Sequence, residues 1–445
     1  TLNKEKNNYR GEGDNFEIEG GHRLSGSIVT NSSKNGATNL FAAALVNRGK
    51  TTLHNIPRIE DVNRLIEVFK SIGVKVEWVG KHSVTIEPPK TFSMSKINAR
   101  SAGRIRSALM LIGPLSGYLK SFNLPHIGGC KMGERTIAAH RFVLEDLGLK
   151  IVTKKDIYRI TEGNRPKKEV VMYEASDTGT TNAILRASVL PQKTTIDFAQ
   201  QNYMTLEVCH FLTELGIRID GIGTKTLVVH GSKDIKKDVE YYNSEDPIEA
   251  MFFITAAIMT RSKLIIKRAP IDFLKVELLK LEKMGFKYSL SKTYFSKNKK
   301  TKLVDITTRP SKLKSLHDKI HAQPYPGINT DNLPFFVPVA TQAEGTTLIH
   351  DWMWEDRAVF FTELNRLGAS VRLADSHRVF VDGPTKLIGA QIVCPPALRP
   401  SVMLLVSMLG AKGVSTLRNV YAIKRGYENI VGRLNKVGTR IKMIS

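Results

Sequence analysis

Cationic and hydroxyl-bearing side chains gather at a few places in this 445-residue chain, each immediately before an apolar run. "NSSKN" carries Lys34 and Asn35, "GRIR" carries Arg104 and Arg106, and "ASDTGTT" carries Ser176, Thr178 and Gly179. "NTDN" carries Asp331, and "ALRPS" carries Arg399 ahead of a proline, so that its helix is expected to begin there in an extended conformation. Arg425, in "IKRGYENI", is placed at the start of the last amphipathic helix. A helix start presents unpaired backbone N–H groups and about half a positive charge. If the six starts that precede the apolar helices converge, they form a sink for anions. Each residue also has a plainer use. Asp331, Ser176 and Thr178 are good helix caps, and the lysine and arginines, taken singly, suit a solvated surface.

A second kind of chemistry is suggested by "HIGGCKMGER", residues 126 to 135. Lys131 and Arg135 could stabilise the thiolate of Cys130 in a glycine-rich loop, which is what makes a thiol reactive. A small apolar side chain in a turn is the competing reading. Cys209, inside "LEVCHFL", reads as core, and Cys394 precedes two prolines with no cation nearer than Arg399. Three cysteines without disulfide or metal-ligand spacing suit a reducing compartment and argue against structural zinc. His140 and His210 fall on helical faces, where a packed or exposed ring is commoner than a ligand.

The net charge of +24 favours anionic partners. Nucleic acid is not expected among them, since the lysines are scattered and no binding motif appears. The densest basic stretch, "SKNKKTK" at 296 to 302, reads as a solvated hairpin tip. Apolar runs such as "AMFFITAAIM" stop short of the about 18 residues that span a bilayer. No secretory leader is recognisable, so a cytoplasmic protein without membrane association is expected.

The elements that must position these residues repeat. Six amphipathic segments end in a glycine followed by alternating apolar residues; the glycines are Gly73, Gly148, Gly216, Gly285, Gly368 and Gly438. In the first, Val62, Leu65, Ile66 and Phe69 share one helical face. Glycine supplies a left-handed cap, and a strand begins. Ahead of each segment lies a β-rich stretch, weakest in the second copy. Ahead of that lies a helix apolar on all sides, from "TNLFAAALV" in the first copy to "PSVMLLVSML" in the last, which must be buried. Six units divide into two domains of three, the first ending near Tyr242. "FEIEGGHRLSGSIV" could join either domain, and residues 1 to 15 read as a disordered tail.

"SSKNGATNLFAAAL", "GGCKMGERTIAAHRFVLEDLG", "PYPGINTD", "AEGTT", "ELNRLGA" and "RGYENI" together resemble the enolpyruvyl transferase superfamily, in its sugar-nucleotide branch. The resemblance runs from about residue 16 to the C-terminus. It implies two inside-out α/β barrel domains, each of three repeated units with buried helices: residues 33–242, and residues 1–32 together with 243–445. It implies transfer of the enolpyruvyl group of phosphoenolpyruvate to a hydroxyl of UDP-N-acetylglucosamine, a step toward peptidoglycan, by a monomer needing no cofactor and no metal. Lys34, Arg135 and Arg425 would hold phosphate and carboxylate, with Arg106 and Arg399 as further cations. Asp331 would deprotonate the acceptor hydroxyl, and Cys130 would protonate C3 or form an adduct. Asn35, Ser176, Thr178 and Gly179 would face the acceptor.

The acceptor side departs from the family pattern. The family usually follows its loop arginine with Pro-Val-Asp-Leu-His, whereas here Ala138 stands at the aspartate position. Ala175 replaces a lysine that reaches the diphosphate, and "QQNYM" at 200 to 204 replaces "AREPE". A different nucleotide or sugar acceptor is therefore a second expectation, and a fold-retaining binder without activity a third. An RNA 3′-phosphate cyclase would need a histidine near the C-terminus, and none follows His377.

Overall fold

A computed structural model describes residues 13–127 and 136–444. All six unit-ending glycines stand in the left-handed region, with φ between 84° at Gly368 and 111° at Gly438. A side chain is strained there, so glycine lets the chain leave each helix and turn directly into a strand. Five of the preceding segments are α-helical: Glu60–Ser71, Ala138–Asp146, Tyr203–Leu215, Lys275–Lys283 and Ile430–Lys436. The remaining one, Arg357–Leu367, winds as a 3₁₀ helix.

The apolar helices Lys34–Ala44, Asp177–Ser188, Pro247–Met259 and Leu398–Gly410 are buried along nearly their whole length. In the other two units the expectation of a continuous inner helix is corrected. Arg106–Leu111 is 3₁₀ before a single α turn at Ile112–Leu115, and Leu333–Phe335 is 3₁₀ before Phe336–Thr341. Pro114, Pro334 and Pro338 lie in these stretches. A proline removes an amide donor and crowds the preceding turn, which breaks a regular helix.

Among the described residues five of six sheets share one pattern, a parallel pair continued by two antiparallel strands. In the second unit the described residues form antiparallel strands only, Ser121–Pro125, Ile157–Glu162 and Leu149–Thr153. The ambiguous early segment joins the later half. Asn15–Gly20 lies between Gly413–Arg418 and Arg440–Ile444, and Ser27–Val29 runs parallel to Ile265–Pro270. The tail expected to reach residue 15 is shorter, because Asp14 is ion-paired with Lys424 and Asn15 already belongs to a strand. Residues 1 to 12 lie outside the described residues.

Buried apolar side chains form two clusters, one built from Ala37 to Tyr241 and one uniting Phe16–Ile28 with Ile248–Ile441 and taking in Tyr203 and Met204. The chain passes between them twice, at residues 30–33 and 243–246. The crossings are bound side by side: Ser33 N donates to Ser244 O at 2.8 Å, and Asp246 N donates to Asn31 O at 2.8 Å. Each crossing ends at the start of an inner helix, and one side chain serves both. Asp246 accepts from Ile248 N at 2.8 Å through Oδ1, capping its own helix, and from Lys34 N at 3.2 Å through Oδ2. Replacing one cap costs about 1 kcal/mol. Asp246→Ala removes partners from two helix starts and is expected to destabilise the protein by about 2 kcal/mol, read as lower urea midpoints.

Candidate active site

Lys34 is the first residue of its buried helix, because Ser33, extended at φ −64° and ψ 120°, caps the helix with its hydroxyl on Gly36 N. The helix direction therefore aims the lysine out of the first cluster toward the second. Its Nζ lies 2.9 Å from Asp61 Oδ2 and 3.3 Å from Asn35 Oδ1. Asp61 Oδ1 takes Arg425 Nε at 2.9 Å, and Arg425 also donates to the carbonyl of Arg104 at 3.3 Å. Asn35 Nδ2 donates to Tyr203 OH at 2.9 Å and reaches Asp331 Oδ2 at 3.5 Å. Arg399 Nη2 donates to the same Asp331 oxygen at 2.8 Å, and its Nη1 reaches Tyr427 OH at 3.3 Å.

One unbroken set of polar contacts thus joins Lys34, Asn35, Arg399, Arg425 and Asp331 across both clusters. Asp61 is 5% exposed, so its charge survives burial only because Lys34 and Arg425 hold its carboxyl below the usual range. Burial likewise opposes ionisation of Asp331, but the Arg399 guanidinium, with Arg357 and Lys34 behind it, holds it down at about 2. The reciprocal effect raises Arg399.

The segment presenting Asp331 is anchored from below. Glu277 Oε1 accepts from Asn329 N at 3.0 Å and from Asn332 Nδ2 at 2.9 Å, and the fully buried Arg357 donates to Thr330 O at 2.8 Å. Asp331 is not the helix cap that its local sequence suggests, since its carboxylate faces Arg399 instead. Two other placements are corrected. Arg399 is the second helical residue of Leu398–Gly410, and it is Ala397 that stays extended, three residues before Pro400. Arg425 follows the short helix Tyr421–Lys424, and the last amphipathic helix begins only at Ile430.

Ser176 and Thr178 have internal partners. Ser176 Oγ caps its helix by accepting from Gly179 N at 3.1 Å, and Thr178 Oγ1 lies 3.1 Å from His140 Nε2. Arg106 donates to Thr136 O at 2.7 Å. Cys130, Lys131 and Arg135 lie outside the described residues. Cys209 and Cys394 are buried thiols, each pushed up to about 12 by burial, as suits inert core positions. The expected solvated tip at 296 to 302 is also corrected in part, since Asn298 Nδ2 donates to the buried Glu207 at 3.3 Å. No group of side chains suited to a metal ion occurs among the described residues.

Sequence reasoning missed Asp61, Asp246, Tyr203 and Arg357. For Asp61 a signal existed: it lies one helical turn before Leu65 on the apolar face, where an acid must find a charged partner.

Next to this contact set is a small recess, part of it open to solvent. Ala175, Asp177, Gln200 and Asn202 line it from one cluster, and Phe273, Tyr325, Asn329 and Thr330 from the other.

The family model for EPSP synthase (3-phosphoshikimate 1-carboxyvinyltransferase) matches residues 18–434. The chain belongs to the EPSP synthase family. Members similar to it over nearly their full lengths include the UDP-N-acetylglucosamine 1-carboxyvinyltransferases of Bradyrhizobium diazoefficiens and Treponema denticola. Each is 33% identical, over 96% of this chain and 98% and 99% of the relative. Among solved structures of this fold, the enolpyruvyl transferase NikO from Streptomyces tendae superposes with a TM-score of 0.84 at 24% identity, over 97% of this chain and 99% of that one. EPSP synthase from Acinetobacter baumannii superposes with 0.72 at 17% identity, over 97% and 100%. The two-domain enolpyruvyl transferase fold that the resemblance implied is therefore established, and the chain is a family enzyme.

The Asp331–Arg399 pair makes a checkable demand. The folded value of about 2 lies below the ordinary 3.8, so the stabilisation is complete above that ordinary value and is lost as pH falls toward the folded one. Asp331→Asn leaves the buried guanidinium without its counter-charge. The variant is expected to be about 2 to 3 kcal/mol less stable at neutral pH, with the gap closing in acid, as read from urea midpoints across pH.

Proposed function

We propose that this protein transfers the enolpyruvyl group of phosphoenolpyruvate to a hydroxyl of UDP-N-acetylglucosamine and releases phosphate. The observation that carries the reading is the contact set joining Lys34, Arg425, Arg399 and Asp331 between the two clusters. Phosphoenolpyruvate is a compact polyanion, and Lys34, Arg425 and Arg399 are cations set within one small volume. The names of the full-length relatives support the acceptor.

On this reading the donor binds by displacing carboxylates from cations. Its phosphate and carboxylate take over Lys34, Arg425 and Arg399, joined by Arg135 and by Arg106 at the loop base. Drawing Arg399 away from Asp331 raises the basicity of that carboxylate, which in the ion pair is a weak base. The acceptor enters through the recess beside Asp331, with its hydroxyl near Asn35. Asp331 takes the hydroxyl proton as the oxygen bonds to C2, while C3 gains a proton. The resulting tetrahedral ketal loses a proton from C3, and the bond from C2 to the phosphate oxygen breaks. Cys130 supplies the C3 proton or adds to C2 itself. Enclosure from water strengthens each contact of the cations with the developing charge. The substrates are small soluble molecules, which suits a cytoplasmic monomer; no described helix is long and apolar enough to cross a membrane.

A second reading keeps the donor and changes the acceptor. Ala138 begins the helix Ala138–Asp146 and Ala175 lines the recess, both without a charge to offer a nucleotide.

Phosphate release is measured with phosphoenolpyruvate and UDP-N-acetylglucosamine, then with UMP and other nucleotides. Release with the sugar nucleotide is expected. Release only with another acceptor selects the second reading, and none with any acceptor defeats both. Asp331→Ala is expected to lower kcat by about 10² to 10⁴. Cys130→Ser is expected to abolish or sharply reduce release, and the intact wild-type mass with phosphoenolpyruvate tests for the adduct.

A further inference from the structure

Ser176, Thr178 and Gly179 mark the start of a buried helix as a place where an acceptor phosphate would be sought. That start is already occupied by groups of its own. Ser176 Oγ takes Gly179 N, Thr178 Oγ1 pairs with His140, and the first helical residue is an acid, Asp177. Its Oδ2 accepts from Asn202 Nδ2 at 2.9 Å, and it lines the recess with Ala175 and Gln200. The opposite wall carries Phe273 and Tyr325, with two more carboxylates, Asp272 and Glu277. Lys275 is the cation on the described lining, and its Nζ lies 2.5 Å from Asp272 Oδ1. Carboxylates, amides and aromatic faces suit hydroxyls and rings, whereas phosphate prefers cations and bare amide N–H groups.

We propose that Asp177 is a specificity determinant of the acceptor site, accepting a hydrogen bond from a neutral hydroxyl or amide of the acceptor and turning its phosphates away from this helix start. The inference rests on the reading that the acceptor enters through the recess. It predicts that an acceptor carrying charged phosphates binds against an electrostatic penalty, which protonation of Asp177 relieves. Burial and the neighbouring charge of Asp331 push Asp177 up to about 6, against the hydrogen bond from Asn202. The penalty is therefore present above that value and absent below it. The other charged or titratable groups facing this corner include Asp331, held near 2, Asp272 paired with Lys275, the buried Glu277, Tyr325, whose phenol burial pushes up from its ordinary value, and His140 behind Thr178.

The test is calorimetric binding of UDP-N-acetylglucosamine, whose phosphates are both esterified and keep their charge across the range. Wild-type protein is expected to bind about tenfold tighter near pH 5 than near pH 8, the loss of one penalty of about 1.4 kcal/mol. Asp177→Asn keeps the side-chain shape and is expected to bind near pH 8 as tightly as the wild type does near pH 5. Wild-type affinity independent of pH overturns the proposal. So does a pH dependence that persists in Asp177→Asn, which would assign it to His140 or Glu277, and so does failure of both proteins to bind at either pH. Binding that follows the expected pattern without phosphate release on adding phosphoenolpyruvate leaves this inference standing and defeats the proposed acceptor.

Discussion

The arrangement depends on one carboxylate. The two chain crossings end at the starts of the helices Lys34–Ala44 and Pro247–Met259, so two partially positive helix ends are brought side by side. Unscreened, they would repel. Asp246 lies between them, accepting from amides of both. Burial works against its charge and raises its pKa, while the nearby Arg399 works the other way. The same group that holds the crossings together thus belongs to the electrostatics of the site.

Within a chain of net charge +24, the central cations are not bare. Lys34 and Arg425 share Asp61, and Arg399 faces Asp331. Bare cations at these separations would repel one another and swing apart. Paired with buried carboxylates they are held in fixed directions, at the cost of competing with an incoming anion. The pairing therefore acts as a scaffold for the cations.

Most of the fold was legible because it rests on local rules repeated six times. A glycine with positive φ, an amphipathic face and an all-apolar helix each leave a signature in a short window, and Gly73, Phe69 and the run around Phe252 carry them plainly. What was not legible came from long-range partners. Asp331 reads locally as a cap, and only Arg399, brought close by the fold, claims its carboxylate. Asp61 reads as the first turn of an outer helix, and its two cations lie 27 and 364 residues away in the chain. The breaks in the inner segments have a local signal in Pro114 and Pro338, which the repeat pattern around them masks.

Six units of one plan place different residues at the starts of their inner segments, and the differences make the cleft chemical. Lys34, Arg106 and Arg399 stand at three starts; Asp177, Asp246 and Asp331 stand at or beside the other three. Six cations at these starts would bind a polyanion without orienting it. Acids interleaved with cations, as where Arg399 meets Asp331 and Lys34 N meets Asp246, set donors for charged oxygens beside acceptors for hydroxyls. A reaction that joins a polyanion to an alcohol needs both kinds of group within one cleft. Duplication supplied six equivalent positions, and substitution at the first helical turn was enough to divide them, because the buried helices behind those positions hold the backbone whichever side chain is carried.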